Sequence, residues 1–207
     1  MQKKNNLSYF RGKELDVLDR YYNCAKEFSL DPVLRITSDA PFLDPIVVDK
    51  VIEKYEKSDY DFVSNNIIRT YPIGIDAEIF SMKALEKTWR ESELPSEREH
   101  VTSYMKKKKN VFKNFNLKNN AKIPIYRLTV DRKEDMEFLR MISAKISKQP
   151  IVLEDILELF RNEPDVLKLY NNIDPVEGYN KSLDEDEEFL KKIGKSKTES
   201  SFKETIE

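Results

Sequence analysis

Hydrophobic and polar residues follow two periods along this chain, and each period indicates a different kind of element. Apolar residues spaced three and four apart predict helices at 14–28, 45–57, 81–91 and in the segment after residue 131. Short runs rich in β-branched and aromatic residues predict strands at 32–37, 61–65, 74–80, 111–117 and 123–130. Because helices and strands alternate through residue 146, we expect a mainly parallel sheet covered by helices on both faces.

The same pattern suggests how the rest of the chain is organised. Ser96 to Glu99 matches a capping box, so a helix should start there and continue through Tyr104. Beyond Pro150 the spacing predicts amphipathic helices at 152–160 and 165–170, followed by a polar stretch. We therefore expect an α/β domain over 1–148, a helical extension over 149–190 and a disordered tail over 191–207.

One candidate site lies between the first strand and the second helix. Asp39 follows the strand at 32–37, and Asp44 with Pro45 has the form of a helix N-cap. Ligands of open α/β sheets bind at the carboxyl ends of strands, and Mg²⁺ prefers carboxylate ligands. Asp131 follows another strand, so the two aspartates could share one cation. The alternative is a strand, a turn and a cap without chemistry.

Composition narrows the class of partner. The 207 residues hold 36 Lys and Arg against 38 Asp and Glu, so the net charge of −2 favours neither nucleic acid nor an anionic membrane. The basic run at 106–109 is interpreted as a solvated helix end. A single cysteine excludes an internal disulfide, and no apolar run reaches the length of a membrane span. With no signal peptide at the start, the expected location is the cytoplasm.

Several stretches, in order, resemble one family. They read RGKELDVLDRYY at 11–22, RITSDAPFLDP at 35–45, DYDFVSN at 59–65 with YPIGIDAEIF at 71–80, PSEREHVT at 95–102 and RLTVD at 127–131. Together they resemble cytidylyltransferases of the spore-coat polysaccharide type, which are relatives of the enzymes that make CMP-sialic acid and CMP-Kdo. The resemblance extends over about residues 8–185, since LEDIL at 153–157 and EGYNKS at 177–182 look like an extension of some members.

This resemblance implies a fold, a reaction and a set of site residues. The fold would be a nucleotide-diphosphosugar transferase fold, a Rossmann-like α/β sandwich. A sugar hydroxyl would attack CTP, giving a CMP-sugar and pyrophosphate for surface polysaccharide synthesis, and Mg²⁺ would be held by the catalytic aspartates Asp39 and Asp131. Residues placed around the substrate by the matched motifs are Arg11, Asn65, Tyr71, Gly74, Asp76, Glu78, Arg98 and His100. For His100, a structural histidine paired with a carboxylate is the alternative.

The chain also departs from the family in one respect. Family members begin with a strand and a loop containing Gly, Arg and Lys that cradles the triphosphate, whereas this chain has only 4 glycines and no such loop. We therefore expect an N-terminally truncated fold, little activity of the chain alone, and a separate N-terminal fragment as a partner. The alternative function is an inactive remnant, or half of a split enzyme, that acts as an interaction or dimerisation module. A homodimer is a further expected partner, because family members often dimerise.

Overall fold

The computed structural model describes residues 7–108, 110–170, 177–194 and 205–206, and it shows a mixed α/β protein. The first half contains α1 (Val17–Glu27), β1 (Val33–Arg35), α2 (Pro45–Glu56), β2 (Phe62–Ser64), β3 (Ile68–Arg69), β4 (Glu78–Phe80) and α3 (Met82–Glu91). The second half contains α4 (Pro95–His100), α5 (Ser103–Lys107), β5 (Asn114–Asn116), α6 (Lys133–Lys145), α7 (Leu153–Asn162), a 3₁₀ helix (Pro164–Tyr170), α8 (Glu177–Lys192) and β6 (Thr205–Ile206). The predicted α/β class is confirmed.

The main sheet has the strand order β1-β4-β2-β5. Strand β4 pairs antiparallel with both β1 and β2, whereas β2 pairs parallel with β5. The prediction of a mainly parallel sheet is therefore wrong for the pairing, although β1, β2 and β5 share one direction. The segment between β2 and β4 contains no helix, and an antiparallel neighbour needs only a loop, whereas a parallel one needs a crossover. Strand β3 forms a separate parallel pair with β6.

The segment 123–130 is irregular apart from one bridge residue, so the prediction of a strand there is wrong. It makes one parallel bridge, in which Ile73 donates its N–H to the carbonyl of Tyr126 at 2.8 Å and accepts from Leu128 at 2.7 Å. Pro124 lacks an N–H for a longer ladder. On the partner side Gly74 has φ +95°, which turns that segment away directly after the bridge.

The helix predicted through residue 104 is broken into α4 and α5 at Val101, whose φ is +64°. Pro95 is already the first residue of α4, as its fixed φ favours. The hydroxyl of Ser96 therefore donates to Asp186 at 2.5 Å instead of capping its own helix. The predicted capping box from Ser96 to Glu99 is wrong for this reason.

The largest hydrophobic cluster joins the α/β part to the C-terminal helices. Phe42, Val47 and Leu128 pack in one group with Phe138 of α6 and Phe160 of α7. Residues on both sides of the predicted boundary at 148 therefore share one core. The division into two domains stays a prediction. Of the predicted tail, residues 195–204 and 207 lie outside the described residues. In the described part of the chain, no helix has both the length and the apolar character that a bilayer crossing requires.

Candidate active site

A cavity of about 1270 Å³ lies where segments distant in the sequence meet. Its walls come from the turn before α1, the end of β1, the β3 region, α4, α5, the segment 127–132 and α8. Four of the predicted site residues line it, and these are Asp39, Asp76, His100 and Asp131. The fold thus brings both predicted metal ligands and two predicted substrate residues to one cavity.

The two aspartates of the predicted metal site are held on neighbouring segments. Val130 donates its backbone N–H to the carbonyl of Asp39 at 2.9 Å, which fixes the turn after β1 beside Asp131. The Oδ1 atom of Asp39 is buried and has no hydrogen-bond partner among the described residues, while the Asp131 side chain is 57% exposed. A buried carboxylate oxygen without a hydrogen-bond partner is a suitable ligand for a cation. The described residues contain no cluster of three or more His, Cys, Asp or Glu side chains that could bind a metal. A shared ion would therefore need ligands from substrate and water.

Asp131 is positioned by a buried arginine. Arg127 donates through Nη2 to Asp131 at 2.8 Å and to Asp135 at 2.7 Å, and its Nε donates to Thr129 at 3.2 Å. Asp135 is buried and also accepts the backbone N–H groups of Asp131 and Arg132, at 2.9 and 2.8 Å. This network fixes the start of α6 and leaves one edge of the Asp131 carboxylate toward the cavity.

Glu78 lies fully buried beneath the cavity. Its carboxylate accepts from Arg35 Nη1 at 2.6 Å, from Lys106 Nζ at 2.8 Å and from Thr102 Oγ1 at 2.9 Å. Burial opposes ionisation, but the charges of Lys106 and Arg35 and the hydrogen bonds outweigh it and lower the pKa of Glu78 to about 2. The three donors line the cavity, so Glu78 holds groups of the cavity wall in place.

Two lysines of the cavity wall, Lys106 and Lys107, were missed by the sequence analysis. The side chain of Lys106 is 16% exposed and that of Lys107 is 8% exposed, with Glu97 3.8 Å from the Lys107 amine. The two lysines do form the end of α5, so the helix-end interpretation is confirmed, but the expectation that they are solvated is wrong. Lys108 is exposed, and Lys109 lies outside the described residues. Glu78 at a buried strand position signals that a cation must be near, but no local pattern indicates which one.

The helix α8 forms a wall that the sequence analysis described only as a polar extension. It contributes Gly178, Lys181, Ser182 and Glu185 to the cavity, at the spacing of one helix face. Nε2 of His100 lies 2.9 Å from Ser182 Oγ, and Asp186 accepts the N–H of Ser96 at 2.9 Å. Polar contacts between α4 and α8 thus dock the helix.

Asp76, a predicted substrate residue, is paired at the cavity. Arg69 Nη1 lies 2.8 Å from Asp76 Oδ1, and both residues line the wall. The cavity surface therefore contains several carboxylate–cation pairs beside the Glu78 group. Such pairs present cations in fixed positions while limiting the net charge.

Asn65 and Gly74 support the backbone beside the cavity. The Asn65 amide donates to the Ile75 carbonyl at 2.7 Å and accepts the Ala77 N–H at 3.0 Å. A Cβ on Gly74 would lie 2.8 Å from the carbonyl carbon and oxygen of Leu128. Both residues therefore hold the segment that leads into β4, and their role toward a substrate stays a prediction.

The remaining predicted residues lie in other surroundings. Tyr71 is buried in the largest hydrophobic cluster, and burial raises the pKa of its hydroxyl. Arg98 binds Asp16 through two bonds of 3.0 and 2.7 Å and so ties α4 to the start of α1. Arg11 is exposed and stacks over the ring of Tyr9 at 5.7 Å. The structure does not bring these three to the cavity lining of the described residues.

Comparison with known proteins shows the family. Residues 4–185 match the family model described as Cytidylyltransferase. An uncharacterized protein of Methanocaldococcus jannaschii, MJ1063, is 34% identical over 170 residues, which is 81% of this chain and 68% of that protein. The spore coat polysaccharide biosynthesis protein SpsF of Bacillus subtilis is 30% identical over 168 residues, which is 78% of this chain and 68% of that protein.

A solved structure shows the same relationship in three dimensions. The structure of a cytidylyltransferase from Leptospira borgpetersenii matches with a TM-score of 0.74 and 33% sequence identity, over 80% of this chain and 70% of that one. The resemblance noted in the sequence motifs is thereby confirmed. Since the family match spans most of the sequence and the fold agrees with it, this chain belongs to the cytidylyltransferase family and is a nucleotidyltransferase with that family's Rossmann-like α/β fold.

Proposed function

We propose that this protein transfers the cytidylyl group of CTP to a sugar, for the synthesis of a surface polysaccharide. The oxygen of a sugar hydroxyl would form a bond to the α-phosphorus, the bond to pyrophosphate would break, and the hydroxyl proton would leave to solvent. The observation on which this proposal rests most is the cavity that unites Asp39 and Asp131 with several cations in a chain of this family. The relative SpsF, whose name refers to spore coat polysaccharide biosynthesis, supports the destination of the product.

The carboxylates of Asp39 and Asp131 would hold Mg²⁺. When bound, the ion would offset the charge of the triphosphate. Support comes from the buried Oδ1 of Asp39, which has no partner among the described residues, and from the exposed edge of Asp131. Arg127 would keep Asp131 in place, because it bonds that carboxylate from the buried side.

The sugar would bear an acid group or be another polysaccharide precursor. Partly buried cations on the cavity wall, among them Arg35, Lys106 and Lys107, support an anionic acceptor as well as an anionic nucleotide. Positioning of the two substrates would provide most of the rate, because this transfer depends on in-line geometry and on charge stabilisation.

Release of pyrophosphate from CTP and Mg²⁺ with a panel of acidic and neutral sugars tests the proposal. We expect Asp39→Asn to lower kcat by about a hundredfold or more, because the carboxylate that would hold the ion is lost. The matched control is Asp49→Asn, an exposed aspartate on α2 outside the cavity, which should leave turnover unchanged.

Two results would contradict the proposal. Equal turnover by Asp39→Asn and Asp49→Asn would exclude Asp39 from the metal site. Absence of turnover by the wild-type chain with every sugar, at a normal melting temperature and both alone and with the N-terminal segment of a complete relative added, would favour the interaction module instead.

A further inference from the structure

Two cations on the cavity wall, Arg35 and Lys106, have more hydrogen-bond donors than their bonds to Glu78 use. A lysine ammonium has three donors and an arginine guanidinium has five. Lys106 contacts Glu78 Oε1, and Arg35 contacts Glu78 Oε2 through Nη1. The Nε of Arg35 is buried without a partner among the described residues. Both side chains line the cavity, so part of their hydrogen-bonding capacity is left for something that enters it.

The charges of this group do not cancel. Glu78 stays ionised at neutral pH, because its pKa is lowered to about 2, and it faces two cations. Glu78, Arg35 and Lys106 together therefore carry one net positive charge, and the nearby carboxylate of Asp76, which also acts on Arg35, is itself paired with Arg69. The side chains of Arg35 and Lys106 are each only 16% exposed, so water screens them poorly. An anion that meets such groups forms charge-assisted hydrogen bonds that are stronger than those on an open surface.

The fold positions this group through rigid elements. Arg35 on β1 and Glu78 on β4 are direct partners in the antiparallel register. The Glu78 carboxylate is also held by Thr102, whose hydroxyl donates to it. Thr102 directly follows Val101, whose φ is +64°. A buried β-branched residue in this conformation is strained, and such strain persists where the surrounding structure requires it. The turn at Val101 thus brings the start of α5, and with it Lys106, over Glu78.

We propose that Lys106 and Arg35 form an anion-binding subsite of the cavity, positioned by Glu78, for an anionic oxygen group of a substrate. The group is either a phosphate of the nucleotide or the acid group of the acceptor. The proposal deepens the proposed function and rests on it for the identity of the ligand. Glu78 acts here as a positioning residue that shares both cations with the bound anion.

Ligand-induced shifts in melting temperature, converted to apparent affinities, test the subsite. The probes are Mg–CTP and inorganic pyrophosphate for the phosphate source, and free sialic acid for the acid of the acceptor. We expect Lys106→Gln to weaken the binding of the responding probe about tenfold or more, as loss of a charged hydrogen bond does. The matched control is Lys108→Gln, because Lys108 directly follows α5 but is exposed and outside the cavity lining.

The variant Glu78→Gln tests whether Arg35 and Lys106 bind both Glu78 and the anion, or whether their bonds to Glu78 are purely structural. This variant should melt at a lower temperature than wild type without ligand, because two buried cations lose their counter-charge. It should nevertheless show a larger shift with the responding probe, because Gln has the size of Glu and still accepts a hydrogen bond that holds a cation in place, while the anion replaces the missing charge. If Glu78→Gln does not fold, the double variant Glu78→Gln with Lys106→Gln restores the charge balance. It should fold and bind the probe weakly.

The responses of wild type and of the variants to the probes each support or refute the subsite. The subsite is refuted if Lys106→Gln and Lys108→Gln respond alike to every probe, or if wild type responds to none. A smaller ligand shift in Glu78→Gln than in wild type would refute the sharing of the cations. A wild-type chain that binds pyrophosphate through Lys106 but releases none from CTP would retain the subsite while the proposed function fails.

Discussion

Asp44 caps two helices at once, and its removal should affect both. Its Oδ1 accepts the N–H of Ile46 at 2.8 Å in the first turn of α2, and its Oδ2 accepts the N–H of Leu153 at 2.9 Å at the start of α7. The residue is only 4% exposed. An N-cap side chain typically stabilises a protein by about 1 kcal/mol, and up to about 2 kcal/mol when it is well placed. A negative charge at a helix N-terminus adds to this.

We therefore expect Asp44→Ala to lower the free energy of unfolding by about 2–4 kcal/mol, because two caps are lost together. Asp44→Asn keeps one acceptor oxygen and should cost about half as much. The matched control is Asp155→Ala, which affects only the start of α7: it removes the bond from Val152 N–H at 3.0 Å together with the contact of Lys148 at 2.9 Å. It should cost about 1 kcal/mol.

Urea unfolding followed by far-UV circular dichroism measures these differences. Hydrogen exchange gives the sharper test, because the amide of Leu153 should exchange faster in Asp44→Ala although it lies 109 residues away. An unchanged Leu153 amide, or a loss of stability no greater than that of Asp155→Ala, would refute the double cap.

Three further predictions follow from the same structure. In wild type, the ionised Glu78 should contribute about 3 kcal/mol to the free energy of unfolding; this contribution is fully present above pH 4.5 and is lost as the pH falls toward about 2. Acid titration of wild type and of Glu78→Gln measures it, and an equal dependence of the free energy of unfolding on pH in both proteins would contradict it. Gly74→Ala should cost about 2–3 kcal/mol in urea unfolding, because of its φ of +95° and the Leu128 backbone 2.8 Å from the new Cβ. Asp186→Ala should raise the rate of amide hydrogen exchange in α8, because the bonds from Ser96 at 2.9 and 2.5 Å are lost, and should leave the exchange rate in α3 unchanged. If the amides of α8 stay as protected as in wild type, α8 is not docked through Asp186.

The Glu78 group explains why a charge pattern can mislead. The run at 106–109 has the composition of a solvated helix end, and cations are common there. In the fold, Lys106 instead pairs with a carboxylate that burial would otherwise neutralise. A buried carboxylate needs a counter-charge from wherever the backbone places one, and here that place is 28 positions further along the sequence.

Local signals in the sequence were sufficient for helices α1, α2, α3, α6 and α7, for strands β1, β2, β4 and β5, for the cap at Asp44 and for the family motifs. The cap at Asp44 is confirmed by the bond from the Ile46 N–H, two residues further along the chain. Helix periodicity and capping involve neighbours along the chain, so a single sequence contains the information that they need. The motif at 35–45 likewise placed Asp39 at the end of a strand, where the cavity lies.

Only the tertiary structure decided which distant groups meet. The pairing of β4 with β1, the second cap made by Asp44 and the docking of α8 join residues 43 to 109 positions apart. No local pattern specifies such pairs, because each side chain could satisfy its polar groups with water in isolation. The choice among partners is made when the hydrophobic clusters pack and remove that water, since a buried polar group must then bond to whatever the fold has placed beside it.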